Sequence, residues 1–301
     1  MGDQPQLEEN YLTVHQVAEY LHLNQKKIYA MVKDGAIPAT KAAGKWLFPK
    51  KLIDDWLLES THGGVLTDRL IVAGSDDPLL AAAIAFLAAD AGESALIAMS
   101  PTGTRGGLEL LSKRRANLCA IHWGPAEIAD KQHQRLIEQY SGHREWALVR
   151  MAKRLQGIIL KPGLAHDGKL ASLTRPELRW AIRQPGAGSQ HFLHCMLTGQ
   201  QLRGEDLNVV AIALSERHAA SLITQGKADC APGVYSAASE FGLSFLPLGW
   251  ECFDLVMPQS AYFRQLFQRL LALLGSEKLA DVAASLQGYD LSPLGKTLSS
   301  A

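Results

Sequence analysis

The first sixty residues contain short helical patterns and one strand pattern. Apolar side chains recur at helical spacing after Thr13 and again after Asn24. Thr13 can cap the first helix, with Gln16 placed three residues later to complete a capping box, and Asn24 can cap the second helix. Gly35 is a residue that commonly ends a helix. The pattern therefore predicts two consecutive short helices.

A hairpin and a third helix are predicted to follow. Residues 39–48 alternate loosely around Ala43-Gly44, a pair that suits a tight turn, and Trp46 and Phe48 would pack inward. Pro49 suits the first position of a helix. The buried face of that helix is predicted to consist of Leu52, Ile53, Trp56 and Leu57. Residues 1–10, which precede all these elements, are polar and are predicted to be a flexible N-terminus.

This N-terminal segment is basic although the whole chain is neutral, with 30 Lys and Arg residues against 30 Asp and Glu residues. From Asn24 to Lys51 there are seven lysines and one acid, Asp34. Lysines bind phosphates, while Gln25 and Tyr29 can approach base edges. The residues expected to contact DNA are Gln25, Lys26, Lys27, Tyr29, Lys33, Lys41 and Lys45. A local basic surface on a neutral chain indicates one domain that binds double-stranded DNA.

The segment YLTVHQVAEYLHLNQKKIYAMVKDGAIPATKAAGKWLFPKKLIDDWL carries a family resemblance. It resembles the excisionase-type winged helix-turn-helix family, which is related to the MerR type. The resemblance implies a DNA-binding domain over residues 11–60 in which the hairpin is the wing, followed by a linker at residues 61–64. The alternative is a solvated basic face on a small bundle. The order helix, turn, helix, wing and helix argues against that alternative.

From residue 65 onward, short apolar strands alternate with helices. The predicted strands are Leu70–Gly74, Ala95–Met99, Leu118–His122, Gln156–Leu160, Trp180–Arg183, Val209–Ala213, Ala228–Ala231 and Ser244–Pro247. Helices are predicted between most of them, among them residues 77–90 and 106–115. This alternation predicts an α/β fold class with parallel sheets covered by helices. About 230 residues exceed what one compact sheet of this kind needs, so two lobes are expected.

Small residues stand at several predicted junctions between a strand and a helix. These junctions are Gly74-Ser75, Thr102-Gly103-Thr104, the PGAGS segment at 185–189, and Pro232-Gly233-Val234-Tyr235. Each places free backbone N–H groups at the positive end of a helix. In an open α/β sheet such junctions lie at the carboxyl ends of the strands, where ligands bind. The pattern therefore predicts a cleft that binds an anion, with hydroxyl donors from Ser75, Thr104 and Ser189.

A second resemblance covers roughly residues 65–290. The segments GSDDPLL, SPTGTRGGLELLSKRRANLCAIHWG, RLQGIIL, AIRQPGAGSQHFL and GKADCAPGVYSAASEFGLSFLPLGWECFDLVMPQ occur in this order. They resemble periplasmic-binding-protein-like sensor domains related to molybdate-binding proteins. The resemblance implies a two-lobed type II fold with a ligand in the cleft. The implied boundaries are lobe 1 at about 65–152 and 259–290, lobe 2 at about 153–258, crossovers near 149–159 and 253–258, and a C-terminal tail at 291–301.

The resemblance also implies which residues line the cleft and what binds there. The implied lining is Ser75, Thr104, Ser189 and Tyr235 by side chain, and Gly103, Gly188 and Val234 by backbone N–H. The implied effector is molybdate or tungstate. Near these loops, Arg105, Arg154 and Arg183 could add a full positive charge, which favours a carboxylate or sulfonate. His122 ends a strand at the cleft and could hydrogen-bond a ligand. Gln190-His191 stands where the family often has an arginine, so the identity of the ligand stays open.

Other chemistries find little support in the chain. The four cysteines are scattered and form no CxxC pair, which is typical of reduced thiols in a cytoplasmic protein. His191, His194 and Cys195 have metal-compatible spacing, but no second ligand pair is visible, so no bare metal cation and no cofactor are predicted. The common catalytic motifs are absent, so no catalytic residue is predicted. The chain lacks a membrane-length apolar run and a signal peptide, so cytoplasmic localisation is expected.

Together these features predict a one-component transcription regulator. It would be a homo-oligomer, a dimer or higher, that senses a small anion, most of all molybdate or tungstate, in an interlobe cleft. A regulator that senses an organic carboxylate or sulfonate is the first alternative. The second is an enzyme or binding protein of molybdenum metabolism whose small head docks protein. The third is a recombination accessory protein, against which the large two-lobed domain argues.

Overall fold

The structure is a computed structural model of the 301-residue chain, and it describes residues 11–34, 36–42, 44–60 and 69–298. The predicted flexible N-terminus at 1–10, Gly35, Ala43 and the predicted linker at 61–64 lie outside the described residues. The chain divides into two compact units, residues 1–68 and 69–301. Each unit is described by itself below.

The N-terminal unit combines a helix-turn-helix with a small antiparallel sheet. Its elements are β1 (Tyr11–Thr13), α1 (Val14–Tyr20), α2 (Gln25–Lys33), β2 (Thr40–Ala42), β3 (Lys45–Pro49) and α3 (Lys50–Ser60). The strand order is β1-β3-β2. The predicted hairpin is β2–β3, whereas β1 has no strand pattern of its own. It forms because Tyr11 and Thr13 pair with Pro49 and Leu47 of β3.

Side-chain caps fix the starts of the first two helices, as predicted. The backbone N–H of Thr13 donates to Gln16 Oε1 at 2.8 Å, and the backbone N–H of Gln16 donates to Thr13 Oγ1 at 3.3 Å, which completes the capping box. Asn24 Oδ1 accepts from the backbone N–H of Lys27 at 2.8 Å. These bonds satisfy N–H groups that the first turn of a helix leaves without a partner.

This unit differs from the predicted pattern at two positions, one in its core and one at an element boundary. Ile28, Phe48 and Ile53 are fully buried, but Leu52 is 49% exposed. Adjacent residues of a helix point in directions about 100° apart, so a helix that buries Ile53 turns its neighbour toward solvent. Pro49 is the last residue of β3 and not the first of α3, because its pairing with Tyr11 extends the strand.

The C-terminal unit contains a ten-stranded mixed sheet. Its strands are β4 (Arg69–Gly74), β5 (Leu96–Pro101), β6 (Leu118–Ile121), β7 (Trp146–Leu160), β8 (Arg179–Arg183), β9 (Asn208–Ala213), β10 (Cys230–Val234), β11 (Ser244–Pro258), β12 (Tyr289–Asp290) and β13 (Thr297–Leu298). Its helices are α4 (Pro78–Ala91), α5 (Gly103–Ser112), α6 (Ala129–Ile137), α7 (Gly188–Gly199), α8 (Glu216–Thr224), α9 (Tyr235–Glu240), α10 (Gln259–Tyr262), α11 (Gln265–Leu274) and α12 (Glu277–Leu286).

Two long strands pass through both lobes. β7 and β11 pair antiparallel along their whole length, from Ser244 opposite Leu160 to Pro258 opposite Trp146. The order β5-β4-β6-β11-β7-β10-β8-β9 puts parallel strands β4–β6 on one side of this pair and β8–β10 on the other. The two groups, with their helices, are lobe 1 and lobe 2. Hydrophobic pattern alone predicted only residues 156–160 and 244–247 of the crossover strands.

Two of the element boundaries that differ from the prediction lie at predicted site residues. Helix α5 begins at Gly103 and not at residue 106, so Gly103 and Thr104 belong to its first turn. Strand β10 covers 230–234, where the sequence predicted 228–231. The whole of β10 is paired with β7, from Cys230 opposite Leu160 to Val234 opposite Gln156. Val234 is therefore a strand residue and not part of a loop.

Each lobe has its own apolar core. In lobe 1, Leu79 and Leu87 of α4 pack in one cluster with Leu270 and Leu274 of α11, so the chain returns to this lobe after β11. In lobe 2, the two faces of the sheet are covered by separate clusters, one around Ile223 of α8 and one around Trp180 and the helix α7. Among the helices in the described part of the chain, none is long and apolar enough to cross a membrane.

The predicted C-terminal tail is structured as far as Leu298. Tyr289 of β12 lies opposite Arg154 of β7, and Thr297 of β13 lies opposite Val149. The carbonyl of Lys296 accepts from the backbone N–H of Arg150 at 2.9 Å. Each pairing is only two residues long, which is too short to give a strand pattern in the sequence.

Candidate DNA-binding surface and interlobe ligand site

The predicted DNA-binding residues lie on one helix and one hairpin of the N-terminal unit. The exposed polar side chains are Gln25, Lys26, Lys27, Tyr29 and Lys33 on α2, and Lys41 and Lys45 on the β2–β3 hairpin. Burial of Ile28 fixes the inward face of α2 and leaves these side chains in solvent. Lys41 Nζ lies 5.7 Å from the centroid of the Trp46 ring. A basic helix face beside a basic hairpin is suited to contact phosphates in two places.

In the C-terminal unit, the N-termini of α5 and α7 meet across the cleft between the lobes. The backbone N–H of Arg105 in lobe 1 donates to the carbonyl of Gly186 in lobe 2 at 3.1 Å. A Cβ atom placed on Gly188 would lie 2.2 Å from the carbonyl oxygen of His122. Because only glycine leaves room for this approach, residue 188 sets how closely the lobes can come together. The cleft is closed in this structure.

The hydroxyl groups predicted to line the cleft are buried and already hydrogen-bonded. Ser75 Oγ lies 2.9 Å from Thr104 Oγ1, which donates to the carbonyl of His122 at 3.0 Å. On the opposite lobe, Ser189 Oγ donates to Glu216 Oε1 at 2.5 Å. The structure therefore brings Ser75 and Thr104 together in lobe 1 and joins Ser189 to a carboxylate in lobe 2.

Arg154 is fully buried at the centre of this region. Its Nη1 donates to Asp77 Oδ2 at 2.9 Å, and its Nε donates to Glu251 Oε1 at 3.0 Å. Nη1 also lies 3.6 Å from Glu216 Oε2. Burial opposes the charge of Arg154, but the three carboxylates outweigh burial and raise the pKa of its guanidinium. One side chain of β7 thus contacts lobe 1, lobe 2 and the second crossover strand.

Both carboxylate oxygens of Glu251, on β11, have polar partners. Its Oε2 lies 2.6 Å from His122 Nδ1 and accepts from Gln156 Nε2 at 3.2 Å, while its Oε1 accepts from Arg154. Burial alone would raise the pKa of Glu251, but His122 and Arg154 lower it to about 2. The predicted site residue His122 is therefore in the cleft, with one ring nitrogen held by a carboxylate that the sequence did not reveal.

Arg183 is buried on the lobe 2 side of the cleft. Its Nη1 donates to Ser189 Oγ at 3.2 Å, its Nε donates to the carbonyl of Ala213 at 3.1 Å, and Nη1 lies 3.9 Å from Glu216 Oε1. Burial lowers the pKa of Arg183, and the carboxylates of Glu216 and Asp76 offset only part of that effect. The structure thus groups Arg183 with Ser189 at the N-terminus of α7, as their proximity in the sequence suggested.

Tyr289 links the lobes on the side of β12. Its hydroxyl donates to Asp77 Oδ2 at 2.8 Å and lies 3.1 Å from Ser236 Oγ. Burial, followed by the charge of Asp77, raises the pKa of the Tyr289 hydroxyl well above its usual value. Ser236, one residue after the predicted Tyr235, is therefore the hydroxyl of α9 that joins this network.

Two predicted residues lie apart from the buried group. Arg105 is exposed, with its guanidinium 5.0 Å from the centroid of the Trp123 ring and its Nη1 3.4 Å from Gln139 Oε1. Tyr235 is half-buried and packs edge-on against Phe245 at 5.2 Å between ring centroids. Neither side chain therefore joins the hydrogen bonds around Ser75 and Ser189.

Sequence reasoning missed several polar residues of the cleft, among them Asp77, Gln156, Glu216 and Glu251. Asp77 caps α4 through Leu80 N–H, and Glu216 stands in the first turn of α8, so both have ordinary positions for an acid. Glu251 carried a usable signal, because a charged residue inside a largely apolar strand needs a buried partner. Arg154, which the sequence did place near the cleft, lies directly opposite it.

The metal-compatible trio on α7 does not form a ligand cluster. Cys195 Sγ lies 3.6 Å from His191 Nε2, and the His191 ring stacks on Trp123 at 4.2 Å between centroids. Burial, helped by the nearby charges of His194 and Arg105, lowers the pKa of His191 to about 4. Within the described ranges, no group of three His, Cys, Asp or Glu side chains could hold a metal ion.

Comparisons with known proteins agree with this architecture. Residues 85–275 match the family model of the PBP superfamily domain, which is more than half of the chain. The chain belongs to the PBP superfamily. Residues 11–61 match the model of a helix-turn-helix domain, so the N-terminal unit of this superfamily member is an excisionase-like helix-turn-helix. Both predictions of fold are confirmed.

Solved structures show the same fold at low sequence identity. The chain is similar to a putative phosphate ABC transporter substrate-binding protein with bound phosphate from Clostridium perfringens, with 11% identity, a TM-score of 0.51, and coverage of 76% of this chain and 99% of that one. It is also similar to an H2O2-bound mutant of OxyR from Corynebacterium glutamicum, with 12% identity, a TM-score of 0.52, and coverage of 91% of this chain and 89% of that one. No curated protein matches the chain.

Proposed function

We propose that this protein is a one-component transcription regulator whose binding to DNA responds to a small anionic effector held between the lobes of its PBP-like domain. The proposal rests on the presence of two kinds of domain in one chain. One part is a helix-turn-helix with an exposed basic face on α2. The other is a two-lobed domain in which the N-termini of α5 and α7 converge on one cleft.

The mechanism follows from the two crossover strands. β7 and β11 are the connections that a hinge motion of the lobes would bend, and an effector that contacts both lobes would favour the closed state. A single winged helix-turn-helix buries limited area on DNA, so the protein would act as a homo-oligomer with paired heads on two half-sites. The effector would then change how the paired helix-turn-helix domains are positioned on the two half-sites. A DNA-binding regulator of this type would act in the cytoplasm, and the proposal includes no catalytic step.

Two classes of effector remain candidates. The sequence resemblance supports molybdate or tungstate. The buried guanidinium of Arg183, whose hydrogen-bond partners are neutral oxygens, supports an organic carboxylate or sulfonate instead, because a full charge suits such a group better than an oxyanion held by neutral donors. Moreover, the hydroxyl of Ser189 already donates to a carboxylate. We therefore rank the organic acid first and the metal oxyanion second.

The proposal is tested by thermal unfolding of the full-length protein with molybdate, tungstate, sulfate, phosphate and a panel of small organic acids. A ligand at about 100 times its dissociation constant adds roughly 2.7 kcal/mol to the stability of the native state, which is a visible shift. The ligand that stabilises the protein should also change its affinity for duplex DNA selected from a random pool. If no member of the panel shifts the unfolding temperature, or if the protein ignores duplex DNA at low salt, the proposal is wrong.

A further inference from the structure

One of the two carboxylate oxygens of Glu216 lacks a hydrogen-bond donor among the described residues. The residue is 1% exposed, and its Oε1 accepts from Ser189 Oγ at 2.5 Å. Its Oε2 is also buried, and it has no hydrogen-bond partner within the described part of the chain. Arg154 Nη1, at 3.6 Å, is the ion-pair partner of this oxygen but is too distant for a hydrogen bond. A buried acceptor without a donor is costly, so this atom calls for an explanation.

The other buried carboxylates of the cleft do not share this feature. Asp77 Oδ1 accepts from the backbone N–H of Leu80 at 2.7 Å, and its Oδ2 accepts from Arg154 and Tyr289. Both oxygens of Glu251 have partners as well. The open position is therefore specific to Glu216, at the start of α8 in lobe 2, beside the N-terminus of α7.

A second carboxylate, on lobe 1, interacts electrostatically with Glu216. Asp76 is half-buried, and its backbone carbonyl accepts from Arg154 Nη1 at 3.3 Å. Burial raises the pKa of its carboxyl group and the charge of Glu216 raises it further, while the charges of Arg217 and Arg183 lower it. A cation beside Glu216 would add to the relief that these arginines give.

The guanidinium groups around Glu216 do not supply the missing donor. Arg154 Nη1 donates instead to Asp77 Oδ2 and to the carbonyl of Asp76. The guanidinium of Arg183 is directed to backbone carbonyls and to Ser189. A bare oxyanion would likewise leave Glu216 Oε2 without a donor.

We propose that the effector is a small zwitterion, an organic acid that also carries a protonated amine, and that Glu216 binds the amine. An ammonium group has three N–H donors and one positive charge, so it can donate a hydrogen bond to Glu216 Oε2 and pair with this carboxylate. The acid group of the same molecule lies at the N-termini of α5 and α7. This inference rests on the proposed function and specifies the chemical class of its effector.

The test compares matched pairs of compounds on the full-length protein. Calorimetric titration and thermal unfolding are measured with the twenty common α-amino acids, β-alanine and taurine, each against the acid of the same skeleton without its amine, and against molybdate. At least one amine-bearing compound is expected to bind about tenfold or more tightly than its deaminated partner, because the deaminated compound cannot form the hydrogen bond to the charged carboxylate.

Two variants test whether Glu216 causes the preference for the amine-bearing compound. Glu216→Gln should abolish the difference between the paired compounds. Glu205→Gln, which removes an exposed carboxylate in the same lobe that pairs with Arg203 at 2.7 Å, should retain it. The comparison on the wild-type protein is decisive even if Glu216→Gln does not fold.

The outcomes separate the two proposals. If a deaminated acid or molybdate binds as tightly as every amine-bearing compound, the zwitterion inference is overturned while the anion-responsive regulator stands. A preference for the amine that survives in a folded Glu216→Gln variant overturns the role of Glu216. If no compound in either series binds, the proposed function fails, and the inference fails with it.

Discussion

Arg154 Nη1 donates to Asp77 Oδ2 at 2.9 Å, and this contact connects crossover strand β7 to the N-cap of α4 in lobe 1. The same guanidinium donates to Glu251 on β11 and lies near Glu216 on α8. The three carboxylates come from three different parts of the unit, and none could stay charged in the closed cleft without a nearby cation. Arg154 therefore holds together the hinge and both lobes.

Replacing Arg154 should destabilise the C-terminal unit strongly. In Arg154→Met, the carboxylates of Asp77 and Glu251 would lose their buried cation, and breaking such a pair costs about 3–5 kcal/mol. The measurement is urea unfolding of the full-length protein followed by circular dichroism. Arg203→Met is the control, because its pair with Glu205 is exposed and contributes little. Equal midpoints for the two variants would contradict the central role of Arg154.

The sequence was informative where structure is local. Thr13 and Asn24 could be assigned as caps because each bonds to a backbone N–H three residues away. The junctions at Gly103 and Gly188 could be placed at the cleft because the carboxyl ends of parallel strands share one edge of a sheet. In both cases the physical cause lies within a few residues of the signal.

The buried ion group was not predictable in the same way. Glu251 lies opposite Arg154 only because two 15-residue strands pair in one particular register, with shifts between Pro247 and Gly249 and between Phe253 and Asp254. Asp77 and Glu216 join them through tertiary contacts between segments far apart in sequence. A single sequence marks these residues only as acids near helix starts, where an acid is favourable without any further partner.

The basic face of α2 predicts a specific change in the salt dependence of DNA binding. Lys26→Ala with Lys33→Ala should weaken binding to duplex DNA and reduce the slope of log affinity against log salt by about 0.9 for each phosphate that the variant no longer neutralises. Fluorescence anisotropy from low to high salt measures both quantities. Lys113→Ala is the control, since this lysine lies in the C-terminal unit and pairs with Glu109 at 2.7 Å. An unchanged slope in the double variant would show that this face does not contact DNA.

The low pKa of Glu251 predicts that the protein loses stability at acidic pH. Its pKa is about 2 in the folded protein against an ordinary value of 4.5, so its contribution is complete above pH 4.5 and is lost as pH falls toward 2. A pKa shift of this size corresponds to about 3 kcal/mol of folding free energy. Urea unfolding at stepped pH between 5 and 3 should show a shallower decline for Glu251→Gln than for the wild-type protein. Parallel declines would mean that the carboxylate is not held ionised by His122 and Arg154.

Replacing Gly188 with alanine should impair closure of the lobes and leave DNA binding intact. In Gly188→Ala the new Cβ would lie 2.2 Å from the carbonyl oxygen of His122, so the lobes could not approach as they do here. We expect a loss of at least about tenfold in affinity for the compound that most stabilises the wild-type protein, because the effector would meet only one lobe at a time. Gly199→Ala, at the other end of α7 and with no atom within 4 Å of its new Cβ, is the matched control. Calorimetric titration measures the affinity, and anisotropy with duplex DNA confirms that the N-terminal unit is unaffected. Wild-type affinity in Gly188→Ala would show that ligand binding does not require this contact between α7 and the end of β6.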